Sequence, residues 1–314
     1  MAVGSSALAM NRILVVGGSG FIGHAICRIA RERGCTVTSL SLRAPIRPLD
    51  GVTYLVGNLS DRKVVKEVLA GKQFEYLVNC AGYIDHRSYF SGGRDLIETH
   101  FDGVQNLLDS LDRDCLRRFV QIGSSDEYGS SPAPQSEGAR EAPISPYSLA
   151  KTATTHFLQM LWRTEHFPAV ILRLFLTYGP GQGEQRFLPQ IIRGCLQGRH
   201  FPVSEGGQLR DFCYVDDVVE GILSTLAVPE ICGCVVNLAS GIPVTIRAII
   251  EQVREIIGQG EPAFGQIPYR AGENMALWAD TRLARELFNW APRVTLPEGL
   301  ARTIDYYRSE KSAI

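Results

Sequence analysis

One stretch near the start constrains this chain of 314 residues more than any other: Arg12–Gly17 (RILVVG) running into Gly17-Gly-Ser-Gly20-Phe-Ile-Gly23. A continuous β-branched apolar run that stops at glycines reads as a strand buried on both faces of a parallel sheet. Phe21–Gly34 then carries apolar residues at helical spacing and ends on a glycine suited to a C-cap. In such a strand–turn–helix, Gly17 permits the tight turn and Gly20 lets the backbone approach a pyrophosphate. Gly23 allows close helix–strand packing, and the helix N-terminus at Phe21 and Ile22 faces the phosphates. A glycine triplet alone also serves as a plain connector. Its place in a βαβ unit at the chain start makes it a dinucleotide loop.

The alternation continues. Thr36–Leu42, Tyr76–Asn79, Arg118–Ile122 and Ala169–Phe175 read as strands, and Asp61–Leu69, Leu96–Leu111 and Tyr147–Glu165 as helices. Strands alternating with helices predict an α/β fold, a Rossmann-like doubly wound parallel sheet over residues 11–175. Past residue 176 the rhythm breaks at Tyr178–Gly183 (YGPGQG). Helices follow near Phe187–Leu196, Val215–Ala227, Thr245–Ile257, Thr281–Phe288 and Pro297–Tyr307. Short strands fall at Arg210–Tyr214 and Val235–Leu238, with a loop-rich stretch at 258–278. The expectation is a smaller, interleaved α/β lobe over 176–314, with a strand near 235–240 returning to the main sheet.

A formal charge of −1, with acids and bases spread evenly, gives no electrostatic case for nucleic acid or a membrane surface. No apolar run approaches the roughly 20 residues of a membrane span. The 8 cysteines show no mini-domain spacing. Cys27, Cys80 and Cys195 sit in apolar surroundings, and Cys232-Gly-Cys234 lacks a second ligand pair, so no metal is expected. A reducing cytosol fits this usage. MAVGSSALAM, without a basic region or long apolar core, reads as a disordered leader rather than a signal peptide.

A carboxylate at the end of the second strand, about 20 residues past the glycines, would hold the ribose hydroxyl of NAD. Here Ser39, Ser41 and Arg43 occupy that stretch. An arginine fork suits a 2′-phosphate, which favours NADP(H) over NAD(H), although Arg43 on a solvated loop would look the same.

Ser145-Pro146-Tyr147-Ser-Leu-Ala-Lys151 reads as a helix start with a serine cap and a first-turn proline. Tyr147 and Lys151 are then an i,i+4 pair, and a cation one turn away is expected to bring the phenol down from near pH 10. An ordinary surface pair would have the same spacing. The fourth strand points to the same place, since it ends in Gly123-Ser124-Ser125-Asp126-Glu127-Tyr128-Gly129, and ligands sit at strand C-terminal ends.

Together GxxGxxG, Ser124, the YxxxK pair and Arg210–Asp217 (RDFCYVDD) resemble the extended short-chain dehydrogenase/reductases. More narrowly they resemble the nucleotide-sugar epimerase, dehydratase and reductase group, over about Arg12 to Tyr307. The resemblance implies Tyr147 as acid/base, Lys151 on the nicotinamide ribose and Ser124 at the substrate oxygen. It further implies cofactor contacts at Ser41, Asn58, Leu59, Ala81 and Gly82, and substrate contacts at His86, Ser125, Asp126 and Leu176. Arg210 and Arg270 would meet the diphosphate or nucleotide, unless each is a structural salt bridge.

Three positions depart from that pattern. His100 stands where Asn is common in the helix before the fourth strand, and Leu176 where Asn usually lies near the substrate phosphates. Ser125 and Asp126 take the places of the acidic pair of the 4,6-dehydratases, leaving one acid where elimination uses two. GSSDEYG resembles the 4-keto-6-deoxyhexose reductases more than the epimerases. With Arg43 it favours a reductase, ahead of a 4-epimerase, a dehydratase and a non-catalytic dinucleotide sensor. The resemblance also implies a homodimer through the helices at 96–111 and 147–165. Leu107, Leu108, Phe157, Leu158 and Leu161 would supply its apolar patch or else pack onto the sheet.

Overall fold

In the computed structural model, residues 11–269 and 272–311 are described. Strands β1 (Arg12–Val16), β2 (Thr36–Ser41), β3 (Val52–Val56), β4 (Tyr76–Asn79), β5 (Arg118–Ser124) and β6 (Ala169–Leu174) form the body of one parallel sheet. After the shorter β7 (Leu176–Tyr178), β8 (His200–Pro202) and β9 (Leu209–Tyr214), β10 (Val235–Leu238) returns to its edge. The sheet has 7 strands in the order β10-β6-β5-β4-β1-β2-β3, as expected of a Rossmann-like doubly wound fold. Its strands read as unbroken apolar runs because both faces are covered. Ile13 and Val15 pack into one core with Ile26, Val120 and Leu172. Leu14 and Val16 pack into the opposite one with Leu77, Leu107 and Leu158.

Helices α1 (Phe21–Glu32) and α2 (Arg62–Leu69) lie where the apolar spacing puts them, and the Asp61 side chain caps α2 by accepting from the backbone of Lys63 and Val64. Leu96–Leu111 is not one regular helix. The chain forms α3 (Arg94–Ile97), a π-turn at Glu98–Asp102 and α4 (Gly103–Ser110). α5 (Pro146–Glu165) opens under a Ser145 cap with Pro146 in its first turn. β3, a half-exposed edge strand, was not anticipated. α6 (Phe187–Leu196) matches its spacing, whereas α7 (Val215–Ser224) stops short of Ala227 and ends in a 3-10 turn.

The C-terminal part is small α/β structure. β9 pairs with β7, with β11 (Pro243–Thr245) and with β13 (Ala276–Leu277), while β12 (Glu261–Ala263) pairs with β8. Helices α8 (Ile246–Ile257), α9 (Arg282–Phe288) and α10 (Leu296–Lys311) complete it. Two ion pairs join α1 to α7: Arg28–Asp216 at 2.6 Å and Arg33–Glu220. Leu107 and Leu158 are fully buried in the core, so they pack onto the sheet and offer no outer patch; Leu108, Phe157 and Leu161 stay half-buried. No described helix is long and apolar enough to cross a membrane.

Candidate active site

Strand order reverses between β1 and β4, and the loops leaving β1, β2, β4 and β5 converge outside that point, where open α/β sheets hold ligands. Gly17 adopts φ +85° and presses against the Ala81 backbone, 2.8 Å from where a Cβ would stand. At Gly23 a Cβ would come within 2.1 Å of the Gly17 carbonyl, so neither position admits another residue. Gly20 starts α1 without a side-chain cap, and no acidic residue lies in the first turn. Phe21 and Ile22 anchor that turn in the core. The amides of this turn are therefore left for an anion, and the cradle fits a dinucleotide pyrophosphate.

Around the cradle, Ser41 ends β2 buried and its hydroxyl accepts from the Ser19 amide at 3.0 Å. Arg43 is exposed just beyond, and among the described residues no carboxylate pairs with it. Asn58 is exposed and accepts from Ser60, whereas Leu59 is buried and its carbonyl accepts from Asn106 at 2.8 Å. Ala81 donates to the Asn79 side chain, and Gly82 lies under the His100 ring.

The Ser124, Tyr147 and Lys151 expected from sequence do come together, each nearly buried. Ser124 closes β5 and caps the turn Ser125–Tyr128 in a capping box with Glu127. That box is anchored below. Glu127 accepts from Thr155 at 2.8 Å and pairs with the fully buried Arg173 at 2.9 Å, which also reaches Glu141 and stacks on Tyr128. Lys151 lies 5.9 Å from the Tyr147 ring centre and donates to the Ile122 carbonyl at 2.8 Å. Burial brings its pKa down to about 8.

The expected lowering of Tyr147 by Lys151 is not what the site does. Burial, reinforced by the charge of Asp126, pushes the phenol up, and a hydrogen bond from Ser124 only partly opposes this. One of the three ammonium protons of Lys151 goes to the Ile122 carbonyl, and the i,i+4 spacing brings the cation to 5.9 Å from the Tyr147 ring centre.

His100 projects from the π-turn onto the Tyr147 ring, 5.0 Å between centres and edge-on. Its Nε2 bonds the Tyr83 carbonyl at 2.9 Å, and burial with the nearby Lys151 charge holds its pKa at about 3, so it is neutral. His86 also stands edge-on to that ring, 6.1 Å between centres, and lies 3.8 Å from Asp126. Burial raises the Asp126 carboxyl, while His86, Arg210 and Arg186 pull it back. Ser125 is buried beneath. Arg210 is ion-paired with Glu273, and its charge also acts on Asp126. Leu176 sits half-buried on β7, packed against the core. Arg270 lies outside the described residues. Sequence reasoning missed Arg186, at the N-terminus of α6, whose charge acts on both Asp126 and Tyr147; its only signal was an arginine closing the glycine-rich loop after β7. Chemically, the constellation can deliver a proton beside a bound dinucleotide.

Known proteins resemble this chain in sequence and fold. The model of the NAD dependent epimerase/dehydratase family matches residues 13–239. A dTDP-glucose 4,6-dehydratase of Streptomyces niveus is 29% identical, covering 96% of this chain and 94% of its own. The structure of MoeE5 with UDP-glucose and NAD superposes with a TM-score of 0.86 at 27% identity, covering 96% of this chain and 99% of that one. A UDP-glucose 4-epimerase of Thermotoga maritima gives 0.87 at 26%, with coverage of 96% and 99%. With more than half its length matched, the chain belongs to the NAD-dependent epimerase/dehydratase family of enzymes, within the extended short-chain dehydrogenase/reductases.

Proposed function

We propose that the protein is a reductase of nucleotide-linked 4-keto-6-deoxyhexoses that uses NADP(H) in preference to NAD(H). The observation that carries this is Ser124 beside Tyr147 at the strand ends, with Arg43 exposed just past β2 and unpaired among the described residues. Arg43 would fork onto the ribose 2′-phosphate, where a carboxylate would repel it. The reduced nicotinamide, when bound, supplies a hydride to the sugar's keto carbon. Tyr147 gives its proton to the carbonyl oxygen, and the upward push on its pKa keeps that proton in place until the oxygen needs it. Ser124 donates to the same oxygen, and Lys151 holds the ribose and replaces the proton.

Asp126 and His86 would line the sugar pocket, with Arg210 and Arg270 near the diphosphate. Dehydration is disfavoured because Ser125 takes one of the two acidic places, leaving Asp126 as the one acid of the pair. The reading includes a homodimer through the helices at 96–111 and 147–165, in a cytoplasm that keeps the cysteines reduced.

A 4-epimerase is the second reading, favoured by the likeness to the Thermotoga enzyme. It would use the same three residues and return the hydride to the opposite face. The test follows NADPH and NADH absorbance with a panel of nucleotide 4-keto-6-deoxy sugars. Stoichiometric NADPH loss with one sugar is expected. Interconversion of C4 epimers with no net cofactor change would replace the reductase with the epimerase.

A further inference from the structure

Arg118 opens β5 at the end of the sheet remote from Ser124, and it is 3% exposed. Its Nη2 donates to the Val228 carbonyl at 2.6 Å, and its Nη1 to the Cys232 sulfur at 2.6 Å. Its Nε has no partner among the described residues. Among the described residues no carboxylate pairs with it, unlike Arg173 at the other end of the neighbouring β6 with its two glutamates. A buried cation without a counter-charge is strongly disfavoured. The Cys232 sulfur is the group in contact with it that can carry negative charge.

The turn bearing that sulfur is tightly built. Gly233 adopts φ +78° and leaves no room for a side chain under the Trp162 indole, 2.0 Å from where a Cβ would stand. Its amide donates to the Ala169 carbonyl at 2.7 Å, and its carbonyl accepts from Gln159 at 3.3 Å. Cys234 follows two residues on, and both cysteines are half-buried. Residues so spaced have Cα atoms at most about 7 Å apart, close to disulfide range. Burial raises the Cys234 thiol, and the Arg118 charge only partly opposes this.

We propose that Cys232-Gly-Cys234 is a redox-active dithiol for hydroperoxides, with Cys232 the nucleophile held by Arg118 and Cys234 the resolving thiol. The Cys232 thiolate attacks the terminal peroxide oxygen; an S–O bond forms, the O–O bond breaks, sulfur is oxidised by two electrons, and the released alkoxide takes a proton from water. Cys234 sulfur then displaces hydroxide from that sulfenic acid. An S–S bond forms, the S–O bond breaks, and the Cys234 proton leaves with hydroxide as water. The disulfide strips Arg118 of its counter-charge, so the bridge is expected to be easily reduced by a small thiol.

The test needs no variant at first. Iodoacetamide labelling of the folded protein compares Cys232 with Cys115, which is also half-buried and lies beside Arg12, an arginine already neutralised by Glu75. Cys232 is expected to react about tenfold faster. Hydrogen peroxide should then link Cys232 to Cys234 in the unreduced digest, and dithiothreitol should restore both. In Cys234→Ser, dimedone should trap a sulfenic acid on Cys232; in Arg118→Gln, Cys232 labelling should fall to the Cys115 rate. Equal labelling of the two cysteines in the wild type, or peroxide products elsewhere with this pair untouched, would overturn the proposal even if the arginine variant fails to fold.

Discussion

His100 offers a quantitative check on the interior of the site. It is 4% exposed and neutral, with its pKa held at about 3 by burial first and by the Lys151 charge second. In the unfolded chain the same imidazole titrates near 6.5. Because the folded value is depressed, stability is complete above about pH 6.5 and is lost as pH falls toward 3, at about 1.4 kcal/mol per unit inside that window. Between pH 6.5 and 4.5 the histidine therefore withdraws about 2–3 kcal/mol. Gln at position 100 can still donate to the Tyr83 carbonyl but does not titrate. Urea unfolding of wild type and His100→Gln at pH 8 and pH 4.5 isolates the effect, since the carboxylates common to both cancel. The variant is expected to be less stable at pH 8 by about 1 kcal/mol, from poorer packing on Tyr147. It should gain about 2–3 kcal/mol relative to wild type at pH 4.5. A difference between the two proteins that does not move with pH would refute the claim that this ring is buried uncharged.

Arg43→Ala is expected to raise the KM for NADPH about 10- to 100-fold, the loss of one charge-assisted contact, and to leave NADH nearly unchanged; equal effects on both cofactors would remove Arg43 from the ribose site. Glu127→Gln leaves the fully buried Arg173 with Glu141 alone and should cost about 3 kcal/mol, read as a lower urea midpoint. An unchanged midpoint would mean that Glu141 suffices.

Strands buried on both faces announce themselves as apolar runs, and β1, β4, β5, β6 and β10 were legible for that reason. β3 was not: Val52–Val56 is short, half-exposed and follows a loop containing two prolines. The glycine loop and the Tyr147–Lys151 pair could be read because local spacing specifies them. The π-turn at Glu98–Asp102 could not, since a shift in hydrogen-bond register leaves no side-chain pattern, and it decides where His100 points. Long-range pairings were equally silent. Arg210 finds Glu273 across 63 residues, and nothing near either announces the other. The direction of the Tyr147 shift was misread because charge spacing is visible in a sequence and burial is not.

The return of β10 has a consequence for anyone cutting or grafting this chain. Val235–Leu238 pairs with Ile171–Leu174 residue for residue, and Asn237 accepts from the buried Tyr128 hydroxyl at 2.7 Å. A fragment ending near residue 175 would bare β6, all six of whose residues are buried, as a sticky sheet edge and orphan a phenol beneath the catalytic turn. Residues 176–234, by contrast, leave from one strand and come back on its neighbour. They form a crossover that leaves the C-terminal end of β6 and re-enters at the N-terminal end of the parallel β10, so its two ends lie a strand's length apart. A lobe grafted from a relative must span that length and replace α7, whose ion pairs tie it to α1.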